Sequence, residues 1–223
     1  MTPAITPTEM RIIVDIVTKH LPRASVYAFG SRTSDDHYPA SDLDLAIDNQ
    51  EKINFITLGS IQEDFMESDI PYSVDVLDYH SVSDHFRAII NTHKVPLLLA
   101  EQFGNADIVD ELTNLILAGK KTATCSLLKC YELENVPLPI VGMYTTVLDG
   151  TNKPVALIKT THITYPKMNE VTQALAALEG EGDLSLAYWY DGHFRYFTEE
   201  LKAHGLNFDD NMTLVFEQFE VQY

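Results

Sequence analysis

Two short apolar runs that alternate as strands do, Ser25-Val26-Tyr27-Ala28-Phe29 and Leu43-Asp44-Leu45-Ala46-Ile47, bracket a polar loop at 30–40 and restrict this chain more than any other feature. Gly30-Ser31 follows the first run, and Asp42-Leu43-Asp44 opens the second after ten intervening residues. Side chains at i and i+2 of a strand share a face, so Asp42 and Asp44 present two carboxylates side by side. A third, Asp75, lies in the strand-like run Ser73-Val74-Asp75-Val76. Three hard oxygen donors on neighbouring strands suit Mg²⁺, which keeps some waters and takes further ligands from substrate phosphates. Gly30 lets backbone approach a phosphate closely, and Ser31 adds a hydroxyl and amides at a turn. Phosphoryl or nucleotidyl transfer needs that pairing of metal and phosphate cradle. Asp-x-Asp alone, or Gly-Ser alone, is unremarkable in an acidic chain; the strand-turn-strand order with a third strand Asp gives them meaning.

The flanking pattern completes a compact unit. Thr6-Pro7-Thr8-Glu9 reads as a capping box with Pro at the first helical position, and Met10, Ile12, Ile13, Ile16 and Val17 follow at helical spacing to about His20. A helix near 53–66, a strand at 72–77 and a helix near 82–92 bring the unit to its end around 99–102. The 223 residues carry 15 Lys plus Arg against 33 Asp plus Glu, a net charge of -18, which repels a polyanion and excludes extended duplex DNA as a partner. No stretch approaches the roughly 18 apolar residues of a membrane span, and no secretory h-region opens the chain, so a cytoplasmic protein is expected. Cys125 and Cys130 are too few for a disulfide framework and lack the spacing of a structural zinc site; both read as ordinary reduced thiols, and the eight histidines show no metal spacing.

Gly30-Ser31-Arg32 through Ser41-Asp42-Leu43-Asp44-Leu45, with Val74-Asp75-Val76 behind, resembles the minimal nucleotidyltransferases of the polymerase-beta superfamily. Phe86-Arg87 to Pro96-Leu97-Leu98 resembles the terminal helix and hydrophobic exit of those proteins. The resemblance covers about residues 8–100. It implies transfer of a nucleoside monophosphate, commonly AMP from ATP, to a hydroxyl with release of pyrophosphate. Gly30 and Ser31, with Arg32 beside them, would bind the nucleoside triphosphate; Asp42, Asp44 and Asp75 would hold Mg²⁺, and Asp75 would help deprotonate the acceptor. Many such proteins are antitoxins that modify a tyrosine on a partner toxin protein.

A fresh helix with Ile108, Val109, Leu112, Leu115 and Ile116 on one face restarts the chain, and Gly119 sits where a C-terminal cap belongs. Extended runs at 142–148, 155–161 and 212–222, with helices near 171–178 and 198–204, read as a small strand-rich barrel with covering helices. Taken alone, Lys120-Lys121-Thr122 after a capping Gly is a solvated C-terminal turn; burial would instead let a lysine shed its proton and activate a neighbouring hydroxyl. The run 117–124, Pro137-Leu138-Pro139, Asp149-Gly150, Glu179-Gly180-Glu181-Gly182-Asp183 and Phe216-Glu217-Gln218-Phe219 resemble an ASCH domain, a PUA-like barrel associated with RNA. Small bacterial members hydrolyse the amide of N4-acetylcytidine with a Lys, a Thr three residues later and a distant Glu. On those positions stand Lys121 as activating partner, Thr124 as nucleophile and Glu179 as acid or base, with Glu181 the rival carboxylate. Other ASCH proteins are binders or ribonucleases. Among the aromatics at 188–197, core is the commoner role, with Trp189 or Tyr190 the exceptions that could stack a base.

The expectation is therefore an α+β chain with a nucleotidyltransferase unit at 1–101 and an ASCH unit at 102–223. Each carries half of the charge, 7 basic residues against 16 acidic before residue 103 and 8 against 17 after it. The rival reading keeps both folds as non-catalytic RNA-binding or antitoxin-like interaction modules.

Overall fold

The structure, a computed structural model, describes residues 3–34, 38 and 41–222. Positions 35–37 and 39–40 of the polar loop lie outside the described residues. The first unit follows the sequence pattern closely. Helix α1 (Pro7–His20) starts at N-cap Thr6 with the capping box formed: Glu9 N–H donates to the Thr6 hydroxyl and Thr6 N–H to the Glu9 carboxylate. Strands β1 (Ser25–Phe29) and β2 (Leu43–Asp48) pair antiparallel, and β3 (Val74–Asp78) lies parallel to β2 after helix α2 (Phe55–Met66). Helix α3 (Asp84–His93) leads into β4 (Val95–Glu101).

That last strand departs from expectation. Residues 95–101 end the first unit in sequence but form no mere exit: β4 pairs antiparallel with β1 and, on its other edge, parallel with β6 (Tyr144–Leu148). The register Leu98↔Tyr144 to Glu101↔Val147 makes one eight-stranded mixed sheet, in the order β3-β2-β1-β4-β6-β7-β8-β5, run through both halves. Strands β7 (Pro154–Thr164), β8 (Leu214–Gln222) and β5 (Ala123–Leu127) complete it. Residues from β4 and from β5, four places further on, line one cavity of about 330 Å³, so this part of the sheet curls as a barrel does.

Three apolar clusters hold the layers. One joins α1 and α2 to β1–β4 and includes Tyr144 of β6, which ties the seam to the first unit's core. Helix α4 (Val109–Leu117) packs on Val147, Ile158 and Phe219. Helices α5 (Leu128–Glu134), α6 (Gln173–Leu178) and α7 (Leu186–Ala203) cover β5 and β8. Helix α7 is far longer than the turns expected at 198–204. Its buried stripe Trp189, Phe197 and Leu201 has a spacing of four or eight residues, with His193 between, while Tyr188, Phe194 and Tyr196 are exposed; aromatic richness hid that helical period. Among the described residues no helix is long and apolar enough to cross a membrane.

Candidate functional sites

At the first site, β1 runs out at Phe29, which lies opposite Asp44 of β2. Gly30 follows with φ of 77°, a left-handed conformation, and a Cβ there would collide with the Asp44 carboxylate, so only glycine fits. A single 3₁₀ turn, Ser31–Thr33, carries the backbone on, closed by the Thr33 hydroxyl donating to the Gly30 carbonyl at 2.7 Å. Parallel pairing of β2 and β3 sets Asp44 in register with Asp75. Asp42 stands just before β2, exposed like Asp75, while Asp44 is half-buried. Burial raises the Asp44 carboxyl, and the charges of Asp75 and Asp42 push it further. This oxygen-only donor set, crowded with like charge and backed by a side-chain-free Gly30, fits a hard divalent cation carrying a phosphate.

Arg32, expected beside the nucleotide, lies buried within this 3₁₀ turn. Its guanidinium is 3% exposed, donates to the carbonyls of Ser41 at 2.7 Å and Ala4 at 2.9 Å, and lies over the Tyr72 ring. Arg32 thus ties the loop to the N-terminus, a use a motif in sequence does not reveal.

The second site is built where α4 ends. Gly119 turns the chain with φ of 65°, and Lys120 and Lys121 N–H donate to the Leu115 carbonyl, which sends the Lys121 side chain inward. It is 2% exposed, and its ammonium donates to Glu179 at 2.8 Å and Glu181 at 2.7 Å. Both carboxylates reach it because Gly180 between them adopts φ of 72° hard against the Lys120 carbonyl, where a Cβ would clash. The solvated-turn reading of Lys121 is therefore overturned, and so is the idea that burial frees it of its proton. Burial does pull the ammonium down, but Glu179 and Glu181 outweigh it and hold the pKa above its ordinary value. Glu179, 1% exposed, feels the reverse balance: burial raises it, and Lys121 and then His193 more than offset this, keeping it ionised.

Glu179 and Glu181 both belong to this network. Glu179 also accepts from the Trp189 indole N–H at 2.7 Å, and His193 Nε2 lies 3.4 Å from the same oxygen. His193 stacks on Trp189 with ring centroids 4.3 Å apart. Histidine spacing in the sequence does not single out His193; the Trp189, His193, Phe197 spacing on one helix face is the available signal. Thr124 stands on β5 opposite Glu217 of β8 and lines the cavity of about 430 Å³ that Lys121, Glu179 and His193 also line. Strand alternation sets Thr124 and Cys125 on opposite faces of β5, though both line this cavity. Lys120 and Arg195 are exposed.

Comparison with known proteins finds two families in succession along the chain. A family model for polymerase beta nucleotidyltransferases matches residues 12–102, and one for the ASCH domain matches 99–223. Over 94 residues the chain is 39% identical to the probable protein adenylyltransferase MntA of Haemophilus influenzae, covering 42% of this chain and 81% of that protein. A crystal structure of an ASCH domain from Lactobacillus crispatus JV V101 is 33% identical, with a TM-score of 0.55 over 63% of this chain and 86% of that one. A crystal structure from Enterococcus faecalis V583 is 40% identical, with a TM-score of 0.52 over 55% and 75%.

Proposed function

Because the chain belongs to the polymerase beta nucleotidyltransferase family over its first hundred residues and to the ASCH domain family over the rest, we propose that it is a protein adenylyltransferase whose ASCH unit binds RNA or a modified nucleoside. Nucleotidyl transfer itself follows from the family; the nucleotide, metal and acceptor are the finer reading. ATP is the donor, Asp42, Asp44 and Asp75 hold Mg²⁺, and Gly30 with Ser31 receives the triphosphate. The observation that carries this is the register of Asp44 with Asp75 behind Gly30. The metal, when bound, neutralises the phosphates and orients them for in-line attack. Asp75, exposed at the strand surface, accepts the proton of the attacking hydroxyl. A protein acceptor is supported by the name of the relative, a probable protein adenylyltransferase; a side-chain hydroxyl on a partner toxin is the finer reading. Units of 1–101 and 102–223 and a cytoplasmic setting complete the reading. Labelled ATP with Mg²⁺ and candidate partner proteins tests it: label should pass to a protein with wild type and fail to do so with Asp44→Asn, and equal labelling by both would remove the assignment.

A second reading is favoured by the buried Lys121–Glu179 pair on the wall of a cavity that Thr124 also lines: hydrolysis of an N4-acylcytidine amide. Thr124 Oγ attacks the acyl carbon, its proton passes to the departing 4-amino nitrogen, and water then releases the acyl group. Since Lys121 is held as the ammonium, it serves by stabilising the oxyanion and orienting Glu179 instead of acting as a base. Release of cytidine from N4-acetylcytidine by wild type, and its loss in Thr124→Val, is the expected result; equal release by both would exclude Thr124.

A further inference from the structure

We propose that Cys125, Glu179 and His193 form a three-ligand site for a thiophilic divalent transition metal of the zinc type, on the wall of the 430 Å³ cavity. Their ligand atoms, one sulfur, one carboxylate oxygen and one imidazole nitrogen, all lie within 4.8 Å of one another. The His193 Nε2 to Glu179 Oε1 separation is 3.4 Å. Two donors each about 2.0–2.1 Å from a tetrahedrally bound zinc stand at about that distance, so this edge of the site is already formed. The Cys125 sulfur, within 4.8 Å of both, is the third ligand. The cavity leaves the fourth position open, the arrangement of zinc sites that take a water or a substrate.

The surroundings orient these groups as metal ligands require. His193 Nδ1 lies 2.9 Å from the Trp189 carbonyl, which only accepts, so Nδ1 carries the proton and Nε2 is left facing the carboxylate. Glu179 is fixed from the other side, with Lys121 on Oε2 and the Trp189 indole on Oε1. Charge also closes. A divalent ion with the Lys121 ammonium brings three positive charges, opposed by Glu179, Glu181 and the Cys125 thiolate. Binding releases two protons to solvent, that of the thiol and the Nε2 proton by which the imidazolium pairs with Glu179 in the metal-free chain, so no buried charge is left uncompensated. The three ligands come from β5, the end of α6 and the middle of α7, which is why no sequence spacing revealed them. The metal and any Glu179-assisted amide cleavage use the same carboxylate, so the two states exclude each other; the site stands whether or not Thr124 is a nucleophile.

Cobalt(II) titrated into reduced, chelator-treated full-length protein is the test, read by the thiolate-to-cobalt charge-transfer band and by the fluorescence of Trp189, the single tryptophan. One equivalent should saturate both signals, and zinc should displace the cobalt. Cys125→Ser should abolish the band, His193→Gln should weaken binding by about tenfold or more, and Cys130→Ser, which alters the other thiol, should leave both signals intact. Cobalt at the Asp42, Asp44 and Asp75 set gives no thiolate band, so the first site does not interfere. A band that survives Cys125→Ser, one that follows Cys130 instead, or no saturable band at all overturns the proposal. Since no outcome depends on nucleotidyl transfer or on release of cytidine, failure of those activities is read separately.

Discussion

The two sites solve opposite electrostatic problems with similar residues. Asp42, Asp44 and Asp75 crowd the edge of two adjacent strands, and burial, then the charges of Asp75 and Asp42, raises the Asp44 carboxyl. Lys121, Glu179, Glu181, Trp189 and His193 instead form a buried network in which each charge has a partner. Carboxylates crowded on adjacent strands are left unfinished until a cation arrives. Carboxylates converging on a buried ammonium are finished within the chain, and their value lies in holding one geometry. A ligand is thus required at the first site for electrostatic reasons, whereas the second stands ready-made.

That contrast can be broken most sharply by removing one charge from each. Lys121→Met leaves two buried carboxylates without their ammonium and should destabilise the protein by about 3–5 kcal/mol, measured by urea unfolding. Adding Glu179→Gln and Glu181→Gln to that variant should recover part of the loss. Asp44→Asn should do the reverse: stability unchanged or slightly raised, since a like charge is relieved, with nucleotidyl transfer reduced by roughly 10²–10³-fold or more as several kcal/mol of metal-borne charge stabilisation is lost. Equal stability losses in Lys121→Met and Asp44→Asn would erase the distinction.

How much of each site was legible in sequence follows the same division. Gly30, Asp42 and Asp44 are local: a strand, a turn and a strand within fifteen residues, where side-chain period and turn chemistry speak directly. Asp75 needed only one further strand. Lys121 meets Glu179 across 58 residues and His193 joins through α7, so nothing short of the fold assembles them. Resemblance supplied Lys121, Thr124 and Glu179, but not the protonation state of the lysine or the part played by His193. The same locality explains the fold. The capping box placed α1 correctly, whereas β4 and β5 went unread because both are defined by pairing with distant strands, β4 with β6 and β5 with β8. The bonds of Arg32 to the carbonyls of Ala4 and Ser41 were not legible, because both residues lie away from the Gly-Ser turn in sequence.

Smaller changes probe how tightly each site is framed. Gly30→Ala places a methyl against the Asp44 carboxylate in a left-handed conformation, so about 1–2 kcal/mol of stability should be lost together with most nucleotidyl transfer. Gly180→Ala should cost a similar amount of stability by pushing on the Lys120 carbonyl, yet leave transfer intact if the sites are independent. Calorimetric melting beside AMP labelling separates the two; loss of transfer in Gly180→Ala would show that the continuous sheet couples them.

The seam between the halves tests that independence most gently. Glu217 of β8 faces the 330 Å³ cavity with Glu101 of β4, and burial, with the Glu101 charge behind it, raises its carboxyl to about 8. Its unfolded value is near the usual carboxylate range, so between about pH 4.5 and 8 the folded chain holds a proton that the unfolded chain has lost. Stability from this group is therefore full below that window and falls as pH rises through it, by about 1–3 kcal/mol once water in the cavity is allowed for. Glu217→Gln should flatten the decline of urea-unfolding stability from pH 5 to 8 while leaving AMP transfer unchanged at each pH. A slope identical to wild type would mean that Glu217 ionises freely and that the seam is wet; a flattened slope with altered transfer would make the seam, and not either site, the place where the two halves communicate.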